Sequence, residues 1–279
     1  ALGALASAGR QLVDPELLEH ARATARYLRA RHWHDGRLWH MWRQGQRSVE
    51  GLLEDYAYVG LGLLELYRAT LEGEHLAWAL ELARHVAERF HDPAGGYFIT
   101  AADMQRLIVR PKGYPDAATP SENAAAADLV WWAARYQDDE ALTAQANQAL
   151  QGIAPTALQA PQVFASTLRV LLQQERPERE VVLAGVPGSA ALDELLARWR
   201  RYDDGTALVL LVGDEGEWPA ELPLAEGRTL DPGAAVPAAQ ATGYVCESGA
   251  CRLPAPDPEA FERALQETGF EPLAAATHH

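Results

Sequence analysis

Residues 51 to 90 hold two helical patterns of opposite kind in tandem, and that pairing restricts the chain to layered αα-hairpins. Gly51-Leu52-Leu53-Glu54-Asp55-Tyr56-Ala57-Tyr58 continues through Gly60, Leu63, Leu64 and Tyr67 and is apolar nearly all round. From Glu74 to Phe90 the pattern is amphipathic, with Leu76, Leu80, Ala83 and Ala87 opposite Glu74, Glu81, Arg84 and Glu88. A helix that is apolar on every side must be covered on every side, so an inner helix alternates with an outer one. The same alternation recurs along the chain. Residues 1 to 12 carry an inward stripe of Ala1, Leu2, Leu5 and Leu12, and Asp14-Pro15-Glu16 opens a capped helix to about Arg31. Residues 121 to 136 are mostly apolar, 138 to 150 polar-faced, and 162 to 174 form a further inner-type helix behind Pro161. Ser48 is the expected N-cap of the helix around residue 54.

Between the hairpins, His32 to Arg47 holds three of the eight tryptophans, Trp33, Trp39 and Trp42, around Asp35-Gly36, which predicts a short β-excursion. His91-Asp92-Pro93-Ala94-Gly95-Gly96-Tyr97-Phe98 echoes it in composition and position, an imperfect internal repeat. Beyond Pro177 the character changes. Glu180 to Gly185 and Ala207 to Gly213 are β-type runs ending in glycine with a helix from Ser189 to Arg201 between them, a βαβ unit. Tyr244-Val245-Cys246 reads as a third strand, and Asp257-Pro258-Glu259 opens a last helix. The expected fold is mainly α, with αα-hairpins over 1–177 followed by a small α/β region over 178–277.

A net charge of -15 lacks the clustered positive charge that nucleic acid requires, and it disfavours anionic membranes. No run of eighteen apolar residues occurs and the start lacks a signal-peptide pattern, so a soluble cytoplasmic protein is expected. Cys246 and Cys251 are too few for a closed zinc site. They read as free thiols or a short-loop disulfide, with redox activity as the remaining alternative. No metal or cofactor is implied, and the terminal His278 and His279 are set aside from the chemistry.

Chemistry concentrates in Arg110 to Asn123. One of the twenty-four basic residues, Lys112, is lysine and the rest are arginine; Asn123 is one of two asparagines. A compact ammonium kept where arginine is otherwise the rule marks a site. If the inner helices enter from one face of a toroid, their N-termini meet at one mouth. That gathers Glu54, Asp55 and Tyr56, then Ser121, Glu122 and Asn123, with Arg110, Lys112 and Asp116 from the loop. Glu54, Asp55, Lys112 and Asp116 are the candidate catalytic groups. Tyr56, Arg110, Ser121 and Asn123 are the candidate ligand contacts, with Trp39 and Trp42 as a stacking platform for a sugar-like ligand. Lys112 is expected beside Asp55, Glu54 or Asp116. The same residues also read structurally: Glu54 and Asp55 as helix-dipole charges and partners of Arg110, Ser121 as an N-cap, Asn123 as loop support and the tryptophans as packing.

Leu53-Glu54-Asp55-Tyr56-Ala57, Arg110-Pro111-Lys112, Asp116 through Asn123 and Tyr244-Val245-Cys246 with Cys251 resemble, in order and spacing, the spermatogenesis-associated protein 20 family. The resemblance implies an (α/α)6-type toroid like that of N-acylglucosamine 2-epimerases and six-hairpin glycosidases. Here it is a partial toroid lacking the family's N-terminal thioredoxin-like domain. Two positions depart from the family: its Asp-Gly-Ala and Pro-Ser-Gly-Asn stand here as Asp116-Ala117-Ala118 and Pro120-Ser121-Glu122-Asn123. The function implied by fold analogy is carbohydrate binding or processing, with Asp55 or Glu54 as acid or base and Lys112 and Arg110 orienting the ligand. The alternative is a non-catalytic scaffold for a thioredoxin-like domain or partner protein. Epimerase chemistry relies on histidines inside a toroid, whereas His32, His34, His40 and His91 fall on expected loops and His75 and His85 on an outer helix.

Overall fold

The computed structural model describes residues 1–104, 108–213, 222–228 and 241–273, so His278 and His279 lie outside the described residues. Two compact units are present: one comprises Ala1–Arg135 with Asp139–Glu175, and the other comprises Tyr136–Asp138 with the chain from Arg176 on. The chain is mainly α, with ten α-helices among the described residues.

In the helical unit, α1 (Leu2–Gln11) and α2 (Pro15–Arg31) form the first hairpin. The carboxylate of Asp14 accepts the backbone N–H groups of Glu16 and Leu17, and Pro15 occupies a position whose missing N–H costs nothing. The β-excursion follows as β1 (Trp33–His34), β2 (Arg37–Arg43) and β3 (Gln46–Glu50), antiparallel in that order. Both of its turns use left-handed residue pairs, Asp35-Gly36 and Gln44-Gly45, which match the twist of a tight hairpin. Ser48 pairs with Met41 inside this ladder, so it does not cap the next helix.

That helix, α3 (Leu53–Thr70), starts two residues later than the apolar pattern suggests and is buried on nearly every side. Its partner α4 (Gly73–Arg89) buries Leu76, Ala79, Leu82, Ala83 and Val86 and turns Glu74, Arg84 and Glu88 outward. Then come α5 (Glu122–Gln137), whose Ala124 to Ala127 are all buried, and α6 (Glu140–Gln151), capped by Asp139 onto Leu142 N–H at 2.9 Å. The expected helix over 162–174 is present as α8 (Ala165–Gln174), entered through a single 3-10 turn at Pro161–Val163, and a short helix that the sequence pattern did not suggest, α7 (Ala154–Gln159), precedes it. Pro161 lacks the N–H that would continue α7, and the chain resets before α8.

Buried α3 and α5 approach closely because Gly60 offers no side chain. A Cβ built there would stand 2.4 and 2.8 Å from the two methyls of fully buried Leu129.

The α/β unit is a four-stranded sheet in the order β5-β4-β6-β7, formed by β4 (Arg179–Gly185), β5 (Leu208–Val212), β6 (Ala241–Glu247) and β7 (Ala250–Cys251). Central β4 runs parallel to β5 and antiparallel to β6. Consecutive buried Val181, Val182, Leu183 and Ala184 mark a strand covered on both faces. Helices α9 (Ala190–Arg200) and α10 (Pro258–Glu267) contribute Leu192, Leu195 and Trp199, and Phe261 and Leu265, to its core.

Gly60→Ala separates packing from propensity. Alanine alone would stabilise an exposed helix interior by about 1 kcal/mol. Overpacking against Leu129 should instead destabilise by about 1–3 kcal/mol, read as a lower urea midpoint with unchanged slope.

Candidate functional site

The first turn of α3 is built around Asp55. Its carboxylate accepts the backbone N–H of Leu52 at 2.8 Å, while Leu53 N–H is satisfied by the carbonyl of Ile99 at 2.9 Å. The other partner of Asp55 is His40 on β2, whose Nδ1 lies 2.9 Å from Oδ2 and 3.0 Å from Oδ1. A carboxylate only accepts, so Nδ1 carries the proton and Nε2 is the nitrogen left open. The imidazole side chain is 39% exposed and the carboxylate 23%. Neighbouring Glu54 is half-buried and makes no hydrogen bond or ion pair among the described residues. Burial pushes the Tyr58 phenol up, a hydrogen bond with the Thr119 side chain opposes it, and the negative charges of Glu122, Glu54 and Asp116 add to the rise. Tyr58 donates to the carbonyl of Pro120 at 2.5 Å.

Tyr56 lies under this turn and is fully buried. Its oxygen accepts from Leu38 N–H and from Arg89 Nη1, each at 3.0 Å. Arg89 also binds Glu50 and Asp103, and Arg37 binds the same two carboxylates at 2.9 and 2.8 Å. Tyr56 is thus the buried end of an ion-pair network that fastens the β-excursion to α4.

The Arg110 to Asn123 segment uses its polar side chains on the chain itself. Arg110 donates to the carbonyl of Thr100 and lies 4.0 Å from the ring centroid of Phe98, so it is not the partner of Glu54 or Asp55. Lys112 likewise is not beside Asp55, Glu54 or Asp116. It pairs with Asp92 at 2.6 Å, donates to the carbonyl of Gly95 and stands 5.0 Å from the Phe98 ring. Ser121 is buried and acts as N-cap, accepting Ala124 N–H at 3.2 Å and donating to the carbonyl of Gly113. Asn123, fully buried, accepts Tyr97 N–H at 2.7 Å and donates to the carbonyls of Tyr97 and Gly113, each at 2.9 Å. Glu122 fits because Gly113 is bare: a Cβ there would meet its carboxylate oxygen at 1.9 Å.

Asp116 joins two helix starts. It accepts Ser121 N–H at 2.8 Å, Ser166 N–H at 2.9 Å and the Ser166 hydroxyl. Burial pushes its carboxyl up, but the Ser166 hydroxyl and the backbone N–H groups outweigh it and hold the group below its usual range.

The tryptophans pack. Two guanidinium groups, Arg31 and Arg47, sit over Trp42 at 5.3 and 5.0 Å, and Trp39 is half-buried with its indole nitrogen enclosed. His85 and Trp78 meet Trp33 edge-on. Elsewhere Glu72, Glu74 and His75 lie at ligand distance from one another at the start of α4. Glu72 is already matched by His75 and Arg22, each at 2.9 Å, which hold its carboxyl down at about 2.

His40 is the residue that sequence reading missed. Its signal was the Gln44-Gly45 turn, which makes residue 40 a strand position close to the start of α3 rather than part of a loop.

These features define a protein of αα-hairpins with a polar cluster at the helix starts, joined in sequence to a small α/β unit. The chain is 30% identical over 273 residues to human spermatogenesis-associated protein 20, covering 92% of this chain and 34% of that protein. To the mouse protein of the same name it is 29% identical over 222 residues, 78% and 27% of the two chains. It belongs to the spermatogenesis-associated protein 20 family and spans about a third of the length of these relatives. No protein-family model matches the chain. Among the described residues no helix is long and apolar enough to cross a membrane.

Asp116→Asn should cost on the order of 2 kcal/mol by weakening charge-assisted bonds to two helix starts. Because the folded carboxyl is held low, its contribution is present above the unfolded value of about 3.9 and is lost as pH falls through the folded one. Wild type should therefore lose more stability than Asp116→Asn on acidification below about pH 4, as followed by thermal unfolding across pH. Lys112→Arg should lower the midpoint at neutral pH, since a planar guanidinium cannot reproduce donors to both Asp92 and Gly95. An unchanged midpoint would remove the loop-tie role.

Proposed function

We propose that the helical unit binds and acts on a polyhydroxylated, carbohydrate-like molecule, with His40 and Asp55 as an acid–base pair and Glu54 as the second carboxylate. The observation that carries this reading is the 2.9 Å His40–Asp55 contact, which fixes the ring and leaves Nε2 open to solvent-borne substrate. Asp55 orients the imidazole and stabilises its protonated form, and Nε2 takes or returns a substrate proton. Glu54 supplies an acceptor for sugar hydroxyls or a second proton-transfer group. Supporting the (α/α)6 part of the reading, buried α3 and α5 alternate with amphipathic α2, α4 and α6. The carbohydrate part rests on fold analogy. A cytoplasmic setting belongs to the same proposal. Lys112, Arg110 and Asp116 are assigned to the frame around the site rather than to the reaction.

A second reading, a scaffold for a thioredoxin-like domain or partner protein, is favoured by one observation. Arg110, Lys112, Asp116, Ser121 and Asn123 all bind the chain's own groups.

Thermal unfolding in the presence of sugars, amino sugars and sugar phosphates distinguishes the two. A ligand at a hundred times its dissociation constant adds about 2.7 kcal/mol. His40→Asn removes an exposed pair worth about 0.2–1 kcal/mol, so it should leave the midpoint nearly unchanged while abolishing any turnover found. If no sugar raises the midpoint and a thioredoxin-like domain does, the scaffold reading stands instead.

A further inference from the structure

In the α/β unit a disulfide joins Cys246 on β6 to Cys251 on β7, residues paired directly across the ladder. The two cysteines differ in access, since Cys246 is 1% exposed and Cys251 lies on the exposed β7 edge. One cation reaches both: Arg228 Nη2 is 3.5 Å from the Cys246 sulfur and 3.6 Å from the Cys251 sulfur. From β4, Glu180 holds the same guanidinium at 3.1 Å and partly balances its charge. Cys251 also lines an open groove of about 540 Å³ with Arg252, Leu253, Pro254, Arg263 and Glu267. A structural disulfide needs neither an accessible sulfur on a groove nor a guanidinium on the sulfur that would leave.

We propose that Cys246–Cys251 is a thiol–disulfide exchange site that is reduced by a dithiol entering along this groove. One thiolate of the dithiol attacks the Cys251 sulfur and forms a mixed disulfide. The Cys246–Cys251 bond breaks and its electron pair leaves on Cys246 as a thiolate beside Arg228. The second thiol of the reductant, once deprotonated, attacks its own partner sulfur in the mixed disulfide and releases the Cys251 thiolate. Two electrons and two protons pass from the dithiol, which closes to its own disulfide, to the two cysteines. Attack on Cys246 is blocked by burial. Arg228 lowers the basicity of the leaving sulfur, which speeds the first step and favours the reduced form.

The test uses the whole chain, oxidised and without denaturant, equilibrated in graded mixtures of reduced and oxidised dithiothreitol, with thiols counted by mass after alkylation. Reduction should proceed in the folded protein. Arg228→Gln should slow it and shift the equilibrium toward the disulfide by about tenfold, with Arg228→Lys restoring most of the effect. Glu180→Gln, which frees Arg228 for the sulfurs, should shift the equilibrium the other way and serves where Arg228→Gln fails to fold. With oxidised glutathione, the Cys246→Ser protein should form a mixed disulfide through Cys251, and Cys251→Ser should form none through Cys246. A bond that opens only in denaturant, a mixed disulfide on Cys246, or equal rates and equilibria in the charge variants would each overturn the proposal.

Discussion

One carboxylate holds the helical unit's irregular part in place. Asp116 takes an early backbone donor of both α5 and α8, groups that have no partner within their own helices. The segment leading to it, from His91 to Ser121, has no helix among its described residues, and so long an irregular stretch is costly to order by packing alone. Polar anchors do the ordering instead. Arg110 is tied to Thr100, Lys112 to Asp92 and Gly95, and Asn123 brackets Tyr97 and Gly113. The lone lysine has a geometric reason. Its acceptors are a carboxylate and a carbonyl on one turn, with the Phe98 ring beside them, an arrangement suited to a compact tetrahedral ammonium rather than a flat fork.

What the sequence made legible follows the range of the interactions involved. Asp14, Ser189 and Asp257 cap helices two or three residues away, and the βαβ order of β4, α9 and β5 is written in consecutive apolar runs. Local rules are enough there. The partners of Lys112 and Arg110 were not legible, because Asp92 and Thr100 lie 20 and 10 residues earlier; Asp92 also sits on a turn whose glycines, Gly95 and Gly96, take left-handed backbone. Ser48 has the composition of a cap, but the ladder from Gln44-Gly45 extends to Glu50 and claims it for β3. The same ladder places His40 beside Asp55. Period and propensity see a polar loop at that point, whereas register decides it.

Burial explains why polar groups gather where they do. A helix such as α5, with Ala124 to Ala127 and Leu129 to Trp132 buried, has no flank on which a charge can reach water. Asp128 is the exception, and it is buried against Arg169 and Gln173 of α8. Polar side chains are therefore confined to the helix ends, and at the N-terminal ends the backbone dipole favours acids. Glu54, Asp55 and Glu122 occupy such positions, with Asp116 serving two of them from the loop.

It follows that acids at these helix starts are expected on stability grounds alone, and their presence does not identify chemistry. The discriminating quantity is unused hydrogen-bonding capacity. Asp116 accepts three donors and is fully engaged by structure. Asp55 accepts Leu52 N–H on Oδ2 and meets the His40 ring with both oxygens, so one partner holds the helix start and the other is an imidazole that no packing argument requires. Glu54 has the dipole's stabilisation without any donor among the described residues. Arg110, Lys112, Asp116, Ser121 and Asn123 are engaged by the chain's own groups, whereas the His40 imidazole is oriented by Asp55 and the Glu54 carboxylate has no donor among the described residues. Lys112, the most distinctive residue of the chain by composition, spends its donors on Asp92 and Gly95.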